Sequence, residues 1–193
     1  MNIVILGSGG WGTALTLVLH KNGHQVSLWS HNEAKAEQLN MTRENPLLKG
    51  VFIPKEIEIT HNLNCLKKTE MVVFASPSFA LRDVASSAAP YLPSSATLVS
   101  VTKGIEPGTH LRMSEIIAAC SGGKREVAVL SGPSHAEEVA RGIPTGCVAA
   151  ARQKKTAVMV QKAFTNEQLR VYTHEEMVGG EVAGALKNVA ALC

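Results

Sequence analysis

The stretch from Asn2 to Ala14 limits what this chain can fold into more than any other. Ile3-Val4-Ile5-Leu6 is an unbroken apolar run, Gly7-Ser8-Gly9-Gly10-Trp11-Gly12 follows at once, and Ala14, Leu15, Leu17, Val18 and Leu19 then recur with the spacing of a buried helix. A short buried strand that passes through Gly7, Gly9 and Gly12 into a helix is the setting the G-x-G-x-x-G spacing requires. Each glycine has its own physical job. Gly7 lets the chain turn sharply out of the strand, Gly9 leaves the backbone open to a pyrophosphate, and Gly12 lets helix pack closely on strand. The helix start offers unpaired N–H groups and a partial positive charge to the phosphates. The stretch therefore predicts a dinucleotide-binding turn.

Lys21-Asn22-Gly23 closes this helix with a basic last turn and a glycine, and Gln25 to Ser30 reads as a second strand. Strand, turn, helix and strand thus fit into about 30 residues, the size of a βαβ unit. The alternation continues. Further strands are expected over 70–75, 97–101, 126–130, 145–151 and 169–173, and helices over 32–41, 79–89, 109–119 and 155–164. Glu70-Met71-Val72-Val73-Phe74-Ala75 is apolar almost throughout, as in a parallel sheet covered on both faces. Residues 42–58, with Pro46, Gly50 and Pro54, read as an irregular surface loop beside the cofactor, and Gly122-Gly123-Lys124 as a turn. The expected fold class is α/β: a Rossmann-type, doubly wound, mostly parallel sheet with flanking helices.

The length of 193 residues suits one domain, or one domain and the start of a second. A net charge of +3 without any basic run gives little support for nucleic acid and suits anionic small molecules. The apolar runs are about one strand long, against the ~20 residues of a membrane span. With the first strand beginning at residue 2, no room is left for a signal peptide. Cys65, Cys120, Cys147 and Cys193 lie far apart with no C-x-x-C pair, so they read as reduced thiols of a cytoplasmic protein rather than as metal ligands.

Candidate chemistry gathers where strands end, because ligands bind at the carboxyl edge of open α/β sheets. At the end of the second strand, where NAD-specific sites commonly place a carboxylate, stand Ser30, His31 and Asn32. With no acid there to repel a 2′-phosphate, the site should accept NADP as well as NAD. His31 either donates to that phosphate, stacks on adenine, or is a solvated loop histidine. Lys103 follows the strand 97–101 beside Gly104 and brings a charge to the ligand edge. Ser131-Gly132-Pro133-Ser134 ends the next strand, and Ser134 with Glu137 has the spacing of a capping box whose free N–H groups also suit an anion. The final segment, Met177 to Cys193, has helical spacing. Val182, Ala185, Leu186, Val189 and Cys193 form an apolar stripe, and Gly180, Gly184, Lys187 and Ala191 lie on the other side. Two glycines beside one lysine predict a close approach on that face, either to a reacting group or to another helix.

Together these blocks carry a resemblance. Gly7-Ser8-Gly9-Gly10-Trp11-Gly12-Thr13-Ala14, Leu28-Trp29, Thr102-Lys103-Gly104, Ser131-Gly132-Pro133-Ser134 and Gly184-Ala185-Leu186-Lys187-Asn188 occur in the order seen in NAD(P)-dependent glycerol-3-phosphate dehydrogenases of the bacterial type. The resemblance implies reversible hydride transfer between NAD(P)H and dihydroxyacetone phosphate, giving sn-glycerol 3-phosphate for phospholipid synthesis. It implies that the cofactor lies on Gly7, Gly9, Gly10, Trp11 and Gly12, with His31, Lys103 and Ala136 also in contact. Lys103, Gly132, Ser134 and Lys187 would meet the substrate, with Lys187 as acid/base and Lys103 as its neighbouring cation.

Members of the family continue into a helical substrate domain, whereas this sequence stops six residues after Lys187. The expected organisation is a cofactor domain over 1–175 and the first helix of a truncated second domain over 176–193, with little activity alone and a homodimer possible. Two other readings remain beside it. One is the cofactor domain of a reductase acting on a 2-keto or hydroxy acid, or on ketopantoate. The other is a stand-alone NAD(P)-sensing module.

Overall fold

The computed structural model describes residues 1–123 and 125–190, the last three by their backbone only. The expectations at Lys124, Ala191 and Cys193, and for the side chains of Asn188 and Val189, fall outside what is described. One sheet organises the chain. Its strands are β1 (Asn2–Leu6), β2 (Gln25–Trp29), β3 (Glu58–Thr60), β4 (Met71–Phe74), β5 (Thr97–Ser100), β6 (Val127–Ser131), β7 (Thr145–Ala150) and β8 (Leu169–His174), in the order β3-β2-β1-β4-β5-β6-β7-β8. All neighbours are parallel except β6 and β7, so the doubly wound, mostly parallel sheet is as expected. The chain leaves β1 toward β2 on one side and resumes at β4 on the other. Ligand crevices form at such a reversal, here between the ends of β1 and β4.

The period of two in each strand sorts side chains to two faces. Ile3 and Ile5 of β1 join one core with Leu15 and Leu19 of α1 (Gly10–Lys21), Leu39 of α2 (Glu33–Thr42), Val139 of α5 (Ala136–Ala140) and Phe164 of α6 (Lys154–Phe164). Val4 and Leu6 join the other with Val84 of α3 (Leu81–Ala88) and Ile116 and Ile117 of α4 (Met113–Cys120). The last helix, α7 (Val178–Ala190), lies against β6. Among the described residues, no helix is long and apolar enough to cross a membrane.

Three local expectations are corrected. The 42–58 loop is followed by β3, a three-residue strand with few apolar residues to announce it, which pairs with β2 through Leu28 and Ile59. The helix expected from residue 109 begins only at Met113, because Ile105 and Arg112 pair as an antiparallel bridge and His110 takes a φ of +57°. Ser134 is not the cap of α5. That position belongs to His135, and Ser134 turns back so that its N–H donates to the Gly132 carbonyl at 2.9 Å. The apolar stripe of α7 is also only partly covered: Leu186 is 53% exposed.

Candidate active site

The glycine turn has the geometry its spacing predicts. Gly7 leaves β1 at a φ of +134°, and a Cβ there would stand 2.6 Å from the Ala75 carbonyl oxygen at the end of β4. A Cβ on Gly12 would lie 1.9 Å from the Gly7 oxygen, so helix and turn meet backbone to backbone. Gly9 is different, since a Cβ there would meet nothing within 4 Å. Its missing side chain serves open space, not packing. Gly9 is also the N-cap of α1, no side chain caps it, and no acidic residue stands in the first turn. The positive helix end thus remains available to an anion. Gly10 sits in a gap, where a Cβ would be 3.5 Å from that of Leu47 and 3.6 Å from that of Ala136. Trp11 packs against the α1-side core with its indole N–H buried and unpartnered, and the Ser76 hydroxyl just past β4 is likewise buried without a partner. An uncapped helix start, an open Gly9 and orphaned polar atoms beside the crevice fit a dinucleotide.

Asn45 holds this turn in shape, and no motif drew attention to it. It is fully buried, its amide donates to the Ser8 carbonyl at 3.1 Å and the Thr13 hydroxyl at 2.7 Å, and its carbonyl accepts from the Leu47 N–H at 3.1 Å. The Ser8 hydroxyl in turn donates to Ser30 at 3.0 Å. The 43–57 loop, the glycine turn and the end of β2 are therefore one hydrogen-bonded unit. Only the Asn45-Pro46 dipeptide, a turn signal, marked the place.

At the end of β2 the three expected residues separate. Ser30 is buried against Ser8, and Asn32 caps α2 by accepting from the Lys35 N–H at 2.9 Å. His31 stays exposed, its ring edge-on to Trp29 with centroids 6.0 Å apart. Glu33, the nearest acid, is directed to His61 at 3.2 Å.

Lys103 and Lys187, from the middle and the last helix of the described chain, come to the same loop. The Thr102 hydroxyl fixes the end of β5 by donating to the Phe74 and Ser76 carbonyls at 3.2 and 2.9 Å. The Lys103 ammonium then donates to the Gly132 carbonyl at 3.1 Å. Lys187 donates to the Ser134 carbonyl at 3.2 Å and lies 3.4 Å from the His135 ring nitrogen. Burial, and the nearby charge of Lys187, push the Lys103 pKa down. Gly184 makes the approach possible, since a Cβ there would stand 2.8 Å from the Ser131 hydroxyl and 3.7 Å from Lys103 Cγ. Gly132 does the same against β7, 2.8 Å from the Gly146 oxygen. Behind the loop the Cys147 thiol is buried, which pushes its pKa up. The structure therefore groups Gly7, Gly9, Gly10, Trp11, Gly12 and Ala136 at the turn, and Lys103, Gly132, Ser134 and Lys187 beside it, with His31 apart.

The family model described as NAD-dependent glycerol-3-phosphate dehydrogenase N-terminus matches residues 2–157. The chain is 44% identical over 195 residues to the NAD(P)+ glycerol-3-phosphate dehydrogenase of Fusobacterium nucleatum, a match covering all of this chain and 58% of that one. Against the enzyme of Pelotomaculum thermopropionicum the figures are 47% over 194 residues, with 98% and 56% covered. The crystal structure of glycerol-3-phosphate dehydrogenase from Coxiella burnetii aligns with a TM-score of 0.92 at 31% identity, over 99% of this chain and 59% of that one. A ketopantoate reductase from Ralstonia eutropha shares the fold at a TM-score of 0.74 and 18% identity. The chain thus spans somewhat over half the length of the curated relatives it matches. A family match that runs unbroken from β1 into α6 leads to one assignment: this chain belongs to the NAD-dependent glycerol-3-phosphate dehydrogenase family, as its N-terminal part.

Proposed function

We propose that this chain is the cofactor-binding part of a cytoplasmic enzyme that reversibly reduces dihydroxyacetone phosphate to sn-glycerol 3-phosphate for glycerophospholipid synthesis. In this reading residues 1–175 form the cofactor domain and 176–193 open a second, substrate-binding one. Gly7, Gly9, Gly10 and Gly12 hold the pyrophosphate on the start of α1, with Trp11 and Ala136 beside it and His31 at the adenosine end. Glu33, the acid nearest His31 in the sequence, is exposed but turned to His61, which favours acceptance of NADPH as well as NADH. The bound nicotinamide cofactor supplies the hydride.

The chain's own residues handle charge and protons. The observation that carries the proposal is the convergence of two ammonium groups, Lys103 and Lys187, on the 131–135 loop beside the glycine turn. Lys187 gives a proton from Nζ to the carbonyl oxygen of the substrate as hydride reaches its carbon, and takes the proton back in the reverse direction. Lys103, with the backbone of Gly132 and Ser134, draws in the phosphorylated substrate and touches the cofactor. The exposed side of α7, with Val178 and Leu186, is left for the second domain or for a second copy in a homodimer.

The test is a chimera of this chain with the remaining C-terminal part of the Fusobacterium nucleatum relative. NAD(P)H oxidation should depend on dihydroxyacetone phosphate and fall by at least about 100-fold in Lys187→Ala, the lower range for loss of a general acid. Turnover of ketopantoate instead, or unchanged turnover in Lys187→Ala, would overturn the proposal.

A further inference from the structure

Glu181 is the only charged side chain among the described residues that is more than nine-tenths buried. It lies on α7 three residues before Gly184 and six before Lys187, so Gly184 sits between the two round the helix surface, with Lys187 about 120° from Glu181. One of its oxygens accepts from the Ser114 N–H at 2.9 Å, and the other from the Ser114 hydroxyl at 2.7 Å and the Arg112 guanidinium at 2.6 Å. Arg112 is itself held by Glu115 at 2.7 Å. Ser114 is in the first turn of α4, so a carboxylate from α7 joins Glu115, which accepts from the Arg112 N–H at 2.9 Å, in closing the positive end of that helix.

Little else seats α7. Val178 and Leu186 are about half exposed, Val182 and Ala185 are only part-buried, and Gly179, Gly180 and Gly184 bring no side chain. The lysines do not attract each other, since both are cations. A buried ion pair adds little net stability once the loss of solvation is counted, and its best-attested use is to select one register over others. Here the register is that of α7 on the sheet.

We infer that Glu181, gripped by Arg112 and Ser114, is a positioning residue that fixes how α7 lies on β6 and so sets the distance between the Lys187 and Lys103 ammonium groups. The inference rests on the proposed function only for the use to which the two lysines are put. The clamp itself is independent of any substrate.

The test uses this 193-residue chain with lysines reductively 13C-methylated, following the Lys103 titration by NMR, with assignment by Lys103→Arg. In the unaltered chain Lys103 titrates below the exposed lysines. In Lys187→Met its midpoint rises, because the neighbouring charge is gone. Glu181→Gln should raise it in the same direction by about half a pH unit or more, as α7 shifts and carries Lys187 away. The double variant should then exceed neither change alone by much. Direct loss of the Glu181 negative charge would move Lys103 down, so a rise reports that α7, which both covers Lys103 and carries Lys187, has moved, and the double variant separates the two contributions. A folded Glu181→Gln chain with an unchanged or lowered Lys103 midpoint, even with a reduced Tm, overturns the inference. Should Glu181→Gln fail to fold, Ser114→Ala removes one of the three bonds and must give a smaller rise, and no rise there overturns it equally. The titration involves neither cofactor nor substrate, so failure of the turnover test would leave this outcome standing, and the reverse.

Discussion

Gly9 and Gly12 lack a side chain for opposite reasons, and alanine separates the two. At Gly9 the backbone has an ordinary φ of −74° and a Cβ meets no protein atom. Gly9→Ala should therefore change stability by less than about 1 kcal/mol, while weakening NAD(P)H binding by about tenfold or more through contact with the pyrophosphate. Gly12→Ala sets a Cβ against a backbone oxygen that cannot move alone, and should cost about 1–3 kcal/mol or more. Thermal unfolding and calorimetric titration of both variants read the two effects separately. Lys103 gives a prediction in pH. Its folded pKa lies below that of the unfolded chain, so between the two values the unfolded chain binds more protons and stability rises with pH. Compared with Lys103→Met by urea unfolding, the wild-type chain should gain ground as pH climbs through the folded value toward the ordinary lysine value of about 10.4. A difference that is flat across this range would contradict the burial of a charged Lys103.

At the scale of elements, the 43–57 loop is the part whose order depends on one side chain. Asn45→Ala leaves the Ser8 carbonyl and the Leu47 N–H without their partner, which should cost about 1–3 kcal/mol. Limited proteolysis with chymotrypsin should then cut faster near Phe52, already 66% exposed. An uncut loop in a folded variant would show that Pro46 and Pro54 hold it without Asn45. Elements buried on both faces were legible because their composition has one cause: β4 is apolar throughout since helices cover both of its sides. β3 was hidden because a three-residue edge strand needs only Ile59 inside. The start of α4 is not legible in the sequence, because a tertiary pairing, Ile105 with Arg112, outweighs the helical preference of residues 109–112. In α7 the close-approach face of Gly184 and Lys187 was readable from glycine placement. Glu181 was not, because an acid on a helix reads as solvated until its partners on α4 are known.

For the whole molecule, strand–helix alternation implies a mostly parallel sheet, and that places the glycine turn, Lys103 and the 131–135 loop at the carboxyl ends of β1, β5 and β6. Sequence order alone reaches that far. The nearness of Lys103 to Lys187 came only through the family resemblance, since it depends on how α7 crosses β6, and the role of Asn45 is not reached at all, since it depends on a loop folding back over the glycine turn. On the proposed function, the turn from Gly7 to Gly12 forms a working dinucleotide site within this chain. The most direct measurement is a calorimetric titration of the 193-residue chain with NADPH and with NADH, its fold verified by circular dichroism. Saturable binding of one nucleotide per chain is expected for both cofactors, weakened in Gly9→Ala, and with NADPH weakened relative to NADH in His31→Ala. A folded chain that takes up neither nucleotide would contradict it.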